Sequence, residues 1–365
     1  MRKAIIVGAT LLAVSSCKKE TPPAPPPAPT PAPEAVKPAA PAGDATLVKA
    51  KALFKPLSAQ FTSETNACTP ERVTLGRQLY FEKRLSKNQD VACNSCHLLD
   101  AFGVDNKPTS EGHKKQRGER NSPSVYNAAG HFVQFWDGRA ADVEAQAKGP
   151  VLNPVEMAMK DEASVVKVLK SVPGYEPLFA AAFPGEKDPI TYDNMAKAIG
   201  AFERTLATPS RFDKYLAGDE KALTDAEKKG VETFISAGCT ACHTGEFVGG
   251  AMYQKFGLVK AVPDLKDEGR SKISKNDAEK FFFKVPSLRN VEKTAPYFHD
   301  GSKQTLEEAI AFMGEYQLGK TLSKEEVDSI ATFLKSLTGE LPAPALIAEP
   351  ATLPGGKTTP KPDPT

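Results

Sequence analysis

Two five-residue phrases constrain this chain more than any other feature: CNSCH at 93–97 and CTACH at 239–243. C-x-x-C-H is the attachment pattern of c-type haem. Its two thiols add across the porphyrin vinyl groups, and the adjacent histidine reaches the iron. One such phrase could be a redox pair or half of a zinc site. Two of them, each ending in histidine, argue for two covalent haems, held by Cys93, Cys96 and His97 and by Cys239, Cys242 and His243. Zinc would need both pairs to converge on one ion and would leave the repeated histidine without a reason. The chain has six cysteines, which in an exported protein suggests disulfides, but the spacing rejects that pairing. Cys17 belongs to a processing signal, and Cys68 is left as a buried free thiol.

The first residues, MRKAIIVGATLLAVSSC, show a basic start, an apolar run of about ten residues and small residues ahead of Cys17. This reads as a secretory signal over residues 1–16, too short to span a membrane as a mature helix. Val14-Ser15-Ser16-Cys17 also resembles a bacterial lipobox, whose cysteine is lipidated and becomes the new N-terminus. A plain signal peptide cut nearby is the alternative. Lys18 resembles the pattern sent to the outer membrane, so the expected location is the periplasmic side, held at that membrane by lipid alone. Residues 21–43 are dominated by proline and alanine and should form an extended, semi-rigid tether. The tail from Pro342 is similar and is expected to be disordered. Without Arg2 and Lys3 the charge balance is 45 basic against 45 acidic side chains, so no electrostatic case for nucleic acid survives.

A chain of 365 residues exceeds one ordinary core, and two domains are expected. Both haem phrases follow a helical run. TPERVTLGRQLYFEKRL puts Val73, Leu75 or Gly76, Leu79 and Tyr80 on one face, opened by Thr69-Pro70. LTDAEKKGVETFISAGC does the same, with Thr224 and Glu227 as a capping box. Further helices are predicted at 163–170, 192–206, 305–313 and 324–337, the last capped by Ser323 with Glu326. No convincing alternating strand is visible. The fold class is mostly α, two cytochrome c-like haem domains joined by long loops.

The two halves also share wording beyond the haem phrases. PSVYN begins at Pro123 and PSLRN at Pro286, and at equal distances from them stand FWDG with Trp136 and FHDG with His299. ADVEAQA then parallels QTLEEAI, and this common spacing points to an internal duplication. In that register Met313 stands opposite Pro150. Methionine is a sixth ligand for c-type iron and raises its potential, whereas proline cannot ligate. The second haem should therefore be closed by His243 and Met313, and the first, on His97, open to a small oxidant. Methionines on amphipathic helices usually serve as core, and Met252 is a rival ligand, but the repeat favours Met313. Near the open site stand Gln146 and Glu156. A carboxylate there could move a proton between the two oxygens of hydrogen peroxide, and an amide could hydrogen-bond the oxygen that stays behind. Spacing alone leaves the alternative that both side chains are solvated on helix surfaces.

From about Leu53 to Thr338 the chain resembles the bacterial di-haem cytochrome c peroxidases. The matching pieces are CNSCH, EGHKKQRGERNSPSVYN, FWDGR, NPVEM, CTACH, PSLRN, APYFHDGS and TLEEAIAFM. The resemblance implies residues 49–210 as a peroxidatic haem domain and 211–341 as an electron-transfer haem domain, after a linker over 17–48 and before a tail over 342–365. It implies His97 and His243 as proximal ligands and Met313 as distal ligand of the high-potential haem. His113 would be a removable ligand that caps the first iron until the second haem is reduced. Glu156 and Gln146 would be the distal acid–base and hydrogen-bonding pair. Asn121, Thr294 and Pro296 would hold a calcium ion through oxygen atoms, His299 would lie near the second haem's propionates, and Trp136 would bridge the haems. Hydrogen peroxide would be the substrate, a small cytochrome c or cupredoxin the donor, and a homodimer the assembly. His131 has no implied role beyond a structural imidazole.

Three other functions compete. A related di-haem oxidase acting on tryptophan in a partner protein resembles this chain but has tyrosine where Met313 stands, so Tyr316 is the residue to check. A di-haem electron carrier without chemistry of its own would have two closed haems and no need of Glu156. A haem redox sensor would need an output domain that the sequence does not supply.

Overall fold

The computed structural model describes residues 44–355 and 360–365. The signal at 1–16, Cys17 and the tether at 21–43 lie outside the described residues. The helices are α1 (Ala45–Leu53), α2 (Pro70–Tyr80), α3 (Cys93–Cys96), α4 (Val143–Leu152), α5 (Glu162–Lys170), α6 (Tyr175–Ala182), α7 (Tyr192–Glu203), α8 (Arg211–Ala217), α9 (Asp225–Ala237), α10 (Ser271–Ser274), α11 (Leu306–Leu318), α12 (Lys324–Lys335) and α13 (Pro344–Ile347). The caps follow the sequence: Thr69 Oγ1 accepts from Arg72 N, and Thr224–Glu227 and Ser323–Glu326 each close a capping box.

Among the described residues two large apolar cores form, beside a small third cluster of Leu57, Phe61, Ala207 and Phe247. The first gathers Leu75, Leu79 and Tyr80 of α2 with Ile199 and Phe202 of α7 and parts of α4 to α6. The second gathers Phe212 of α8, Phe234 of α9 and Phe333 of α12, with the Phe333 ring 5.1 Å from that of Phe212 and 5.3 Å from that of Phe234. In each core the helix preceding a haem phrase crosses a later helix at a glycine. A Cβ on Gly76 would lie 1.9 Å from Ala198 O of α7, and one on Gly230 would lie 2.3 Å from Ser329 O of α12. Neither crossing admits a larger residue without backbone movement.

The expected boundaries need two corrections. Helix α1 does not belong with the first domain: Leu47, Ala50 and Phe54 are buried in the second core, with Phe54 5.4 Å from Phe212. The tail is not disordered over residues 342–355, which lie on the first core through Leu346, Ile347 and Leu353. Proline-rich backbone lacks partners for its own carbonyls, and here Arg77 donates to Leu346 O and Ala348 O, and Arg84 to Pro354 O. The sequence reading also missed a two-stranded antiparallel pair, β1 (Tyr253–Lys255) and β2 (Phe282–Lys284). Three-residue strands are too short to display an alternating pattern.

The backbone keeps one register across the two halves. Asn127 and Asn290 are left-handed, as are Phe135 and Phe298, and Gly138 and Gly301. Isolated bridges pair Gln134 with Ala140 and Tyr297 with Lys303, and the caps of α4 and α11 are Asp142 and Thr305. Every one of these pairs has the separation of Trp136 from His299. Both asparagines are fully buried and donate to the same atom, Thr208 Oγ1, at 2.8 Å each.

Candidate functional site

Both haem phrases open onto one cavity of about 420 Å³. Its wall includes Cys93, Cys96, His97, Trp136, Cys239, Cys242, His243, His299 and Met313. None of the four cysteines is taken up in a disulfide, which leaves each thiol available for thioether attachment. Backbone carbonyls hold the imidazoles. His97 Nδ1 lies 3.0 Å from Pro123 O and 3.3 Å from Gly103 O, and His243 Nδ1 lies 3.1 Å from Val248 O. A carbonyl accepts only from N–H, so each Nδ1 is protonated and each Nε2 is left as a lone pair for iron. Burial pushes His243 down to about 4 and lowers His97 as well, which keeps both rings neutral. The chain thus presents two neutral, oriented imidazoles beside two thiol pairs, and these residues fit two c-type haems.

On the far side of the cavity the halves differ through one residue. Helix α11 runs unbroken past Met313, which lines the wall; Met252 does not. At the matching place α4 carries Pro150, which has no N–H to continue the helix, and α4 ends at Leu152. The chain turns at once: Glu156 N donates to Asn153 O, and Met157 N donates to Pro150 O. That turn brings Glu156 onto the wall of the cavity that Gln146 of α4 also lines.

Burial raises the Glu156 pKa, and the nearby Arg139 guanidinium and the Asn153 amide, which donates to Oε1 at 2.8 Å, pull it back. Arg139 is itself stacked 3.4 Å over the Phe135 ring and paired with Asp137. Trp136 is fixed by its Nε1–H, which donates to Asn121 O at 2.9 Å, with its ring 6.2 Å from that of His299. His299 stacks on Phe283 at 4.2 Å.

Other expected residues are placed less completely. His113 is buried and its N–H donates to Glu156 O at 2.7 Å, but it does not line the cavity, and its Nδ1 has no partner. Lys114 and Lys115 after it are left-handed. Asn121, Thr294 and Pro296 share the cavity wall, and Asn121 Nδ2 donates to Lys107 O. Tyr316 stacks on Phe312 at 4.3 Å, away from the wall. Cys68 is half-buried, with Sγ 3.7 Å from Ala201 O, and burial raises its thiol pKa.

Several wall residues escaped the sequence reading. Arg120 bridges Asp137 and Asp267, each at 2.6 Å. Glu203 is an acid on the apolar face of α7 beside Cys93, and burial raises its pKa to about 8. Lys284 ends β2 and meets His131. Lys284 was legible in principle, as a single charge inside the apolar run FFFKV, whereas Glu203 is followed by a second charge, Arg204, in AIGAFERTL.

The family model for di-haem cytochrome c peroxidase matches residues 70–221. Cytochrome c551 peroxidase of Pseudomonas aeruginosa is 45% identical over 326 residues, 87% of this chain and 93% of that protein. The protein of the same name from Nitrosomonas europaea is 47% identical over 281 residues, 76% of this chain and 83% of that one. Among solved structures, a MauG-like protein associated with microbial copper homeostasis superposes with a TM-score of 0.71 at 30% identity, covering 81% of this chain and 96% of that one.

Proposed function

The chain belongs to the di-haem cytochrome c peroxidase family, and we propose that it reduces hydrogen peroxide to two waters on the His97 side of the cavity, using electrons that enter on the His243/Met313 side. The two haems, when bound, supply the iron that takes up peroxide and the electrons that its reduction consumes. Cys93 and Cys96 hold one haem in place and Cys239 and Cys242 the other. His97 and His243 offer Nε2 to iron because their Nδ1 protons are bound to backbone carbonyls. Met313 closes the second site, while Pro150 leaves the first without a methionine.

Glu156 is the acid–base group. As carboxylate it takes the proton from the peroxide oxygen nearer the iron and returns it to the farther oxygen, which leaves as water. Gln146 orients the peroxide through its amide. Arg139, beside Glu156, favours the ionised form that must act first. Trp136 lines the cavity shared by the two haem phrases and serves as the bridge for electrons. The common left-handed positions in the two halves support a duplicated origin followed by this division of labour. Asn121, Thr294 and Pro296 would offer calcium hard oxygen ligands at the junction of the halves. His113 would release the first iron when its loop rearranges, a reading supported by its burial outside the cavity and the strained residues after it. A small soluble cytochrome c or cupredoxin as donor, a homodimeric assembly and a Cys17 lipid anchor on the periplasmic face of the outer membrane complete the proposal.

The observation that carries it is Glu156, brought by the Pro150 turn into the cavity that also holds His97. Glu156→Gln should keep both haems and lower peroxidase turnover by about a hundredfold or more. Unchanged turnover in that variant would refute the assigned role.

A further inference from the structure

The arginines lining the cavity all have carboxylate partners: Arg120 with Asp137 and Asp267, Arg139 with Asp137, and Arg289 with Asp213. Lys284 is different. It is 6% exposed, its backbone N–H donates to Trp136 O at 2.7 Å, and it forms no ion pair among the described residues. Its Nζ meets His131 Nδ1 at 3.1 Å. An ammonium group can only donate, so Nδ1 accepts and the His131 proton sits on Nε2. That Nε2 is buried and has no partner. The ring cannot easily turn away, since it packs edge-on against Phe247 at 5.1 Å, and a Cβ on Gly250 would lie 2.8 Å from its Cδ2.

One stretch of cavity wall therefore offers an uncompensated ammonium and an unclaimed imidazole N–H. Burial pushes Lys284 down to about 8 and His131 well below its usual value, so the site lacks an anion. The carboxylates on the wall do not supply it: Glu156 is bound by Asn153, and Glu203 stands beside Cys93. A haem brings two carboxylates into this cavity on its propionate arms.

We propose that Lys284 and His131 together form the seat of a haem propionate, with Nζ and Nε2–H donating to its carboxylate oxygens. The proposal rests on covalent haem attachment at the two phrases. The positive charge of Lys284 then favours the reduced state of that haem.

The test uses the haem-loaded full chain. Haem content by pyridine haemochrome, midpoint potentials by redox titration and the propionate bending band by resonance Raman are measured for Lys284→Met, Lys284→Arg and His131→Phe. Lys284→Met should retain two haems, shift the propionate band and lower one midpoint potential, by about tenfold in that haem's one-electron equilibrium (~59 mV). Lys284→Arg should stay near the parent in potential. His131→Phe keeps the ammonium and should move the propionate band with a smaller change in potential. Unmoved potentials and an unmoved band in Lys284→Met would overturn the proposal. If that variant does not fold, an unchanged band in His131→Phe does so. Absence of covalent haem from the parent protein would instead overturn the reading on which the proposal rests.

Discussion

The role proposed for Glu156 depends on one proton, and the surroundings of its carboxyl set when that proton is present. Burial raises the pKa above that of an ordinary glutamate, and a base must be ionised to act. Peroxidase kcat/KM should therefore fall as pH drops through this raised value, with an acid limb that Glu156→Gln abolishes; a limb that survives the substitution belongs to another group. Glu203 makes the opposite kind of statement, about stability. Its folded value of about 8 exceeds the usual 4.5, so the folded chain holds a proton that the unfolded chain releases. Stability should then fall with rising pH between those two values, by about 1.4 kcal/mol per pH unit. Glu203→Gln should raise the melting temperature of the haem-loaded protein at pH 8 and leave it nearly unchanged at pH 5. An equal effect at both pH values would show that Glu203 is already ionised. Trp136→Phe removes the donor to Asn121 O, a loss of about 1 kcal/mol, and removes the indole between the haem phrases. Slowed transfer between the haems in a folded protein supports the bridge, whereas unaltered transfer leaves Trp136 as packing.

Among the elements, α4 and α11 carry the difference on which the proposal turns. They share a register and a cap position, yet Pro150 stops one helix where Met313 rides on the other. This contrast was readable in the letters because proline acts on the backbone locally and needs no knowledge of the fold. The loop around His113 was not readable in the same way. The His113 backbone N–H donates to Glu156 O and its buried side chain does not line the cavity, and only the resemblance named it as a ligand. If the loop gates the first haem, His113→Gly should react with peroxide without prior reduction and without a lag in activity. A lag equal to that of the parent would count against gating. The tail shows why composition misleads. Its prolines and alanines signal disorder, but Arg77 and Arg84 supply the donors that its own backbone lacks.

For the whole molecule, the two haem phrases and their preceding helices were legible because covalent attachment demands fixed spacing and because apolar periodicity and capping residues are local signals. Tertiary exchange was not. Helix α1 joins the second core and residues 342–355 lie on the first, so each domain is completed by chain from beyond its partner, and no local pattern records that. Buried charges such as Lys284 were visible only as letters out of place, because their meaning depends on which carboxylates are absent nearby. The central claim is that one cavity joins a closed site at His243 and Met313 to an open site at His97, and that they act in turn. A single spectroscopic series tests it most directly: reduce the haem-loaded protein by one equivalent, record the spin state, then add hydrogen peroxide. The account predicts a high-spin signal on half-reduction followed by consumption of peroxide. Two haems that stay low-spin and inert to peroxide would contradict it and identify the chain as an electron carrier.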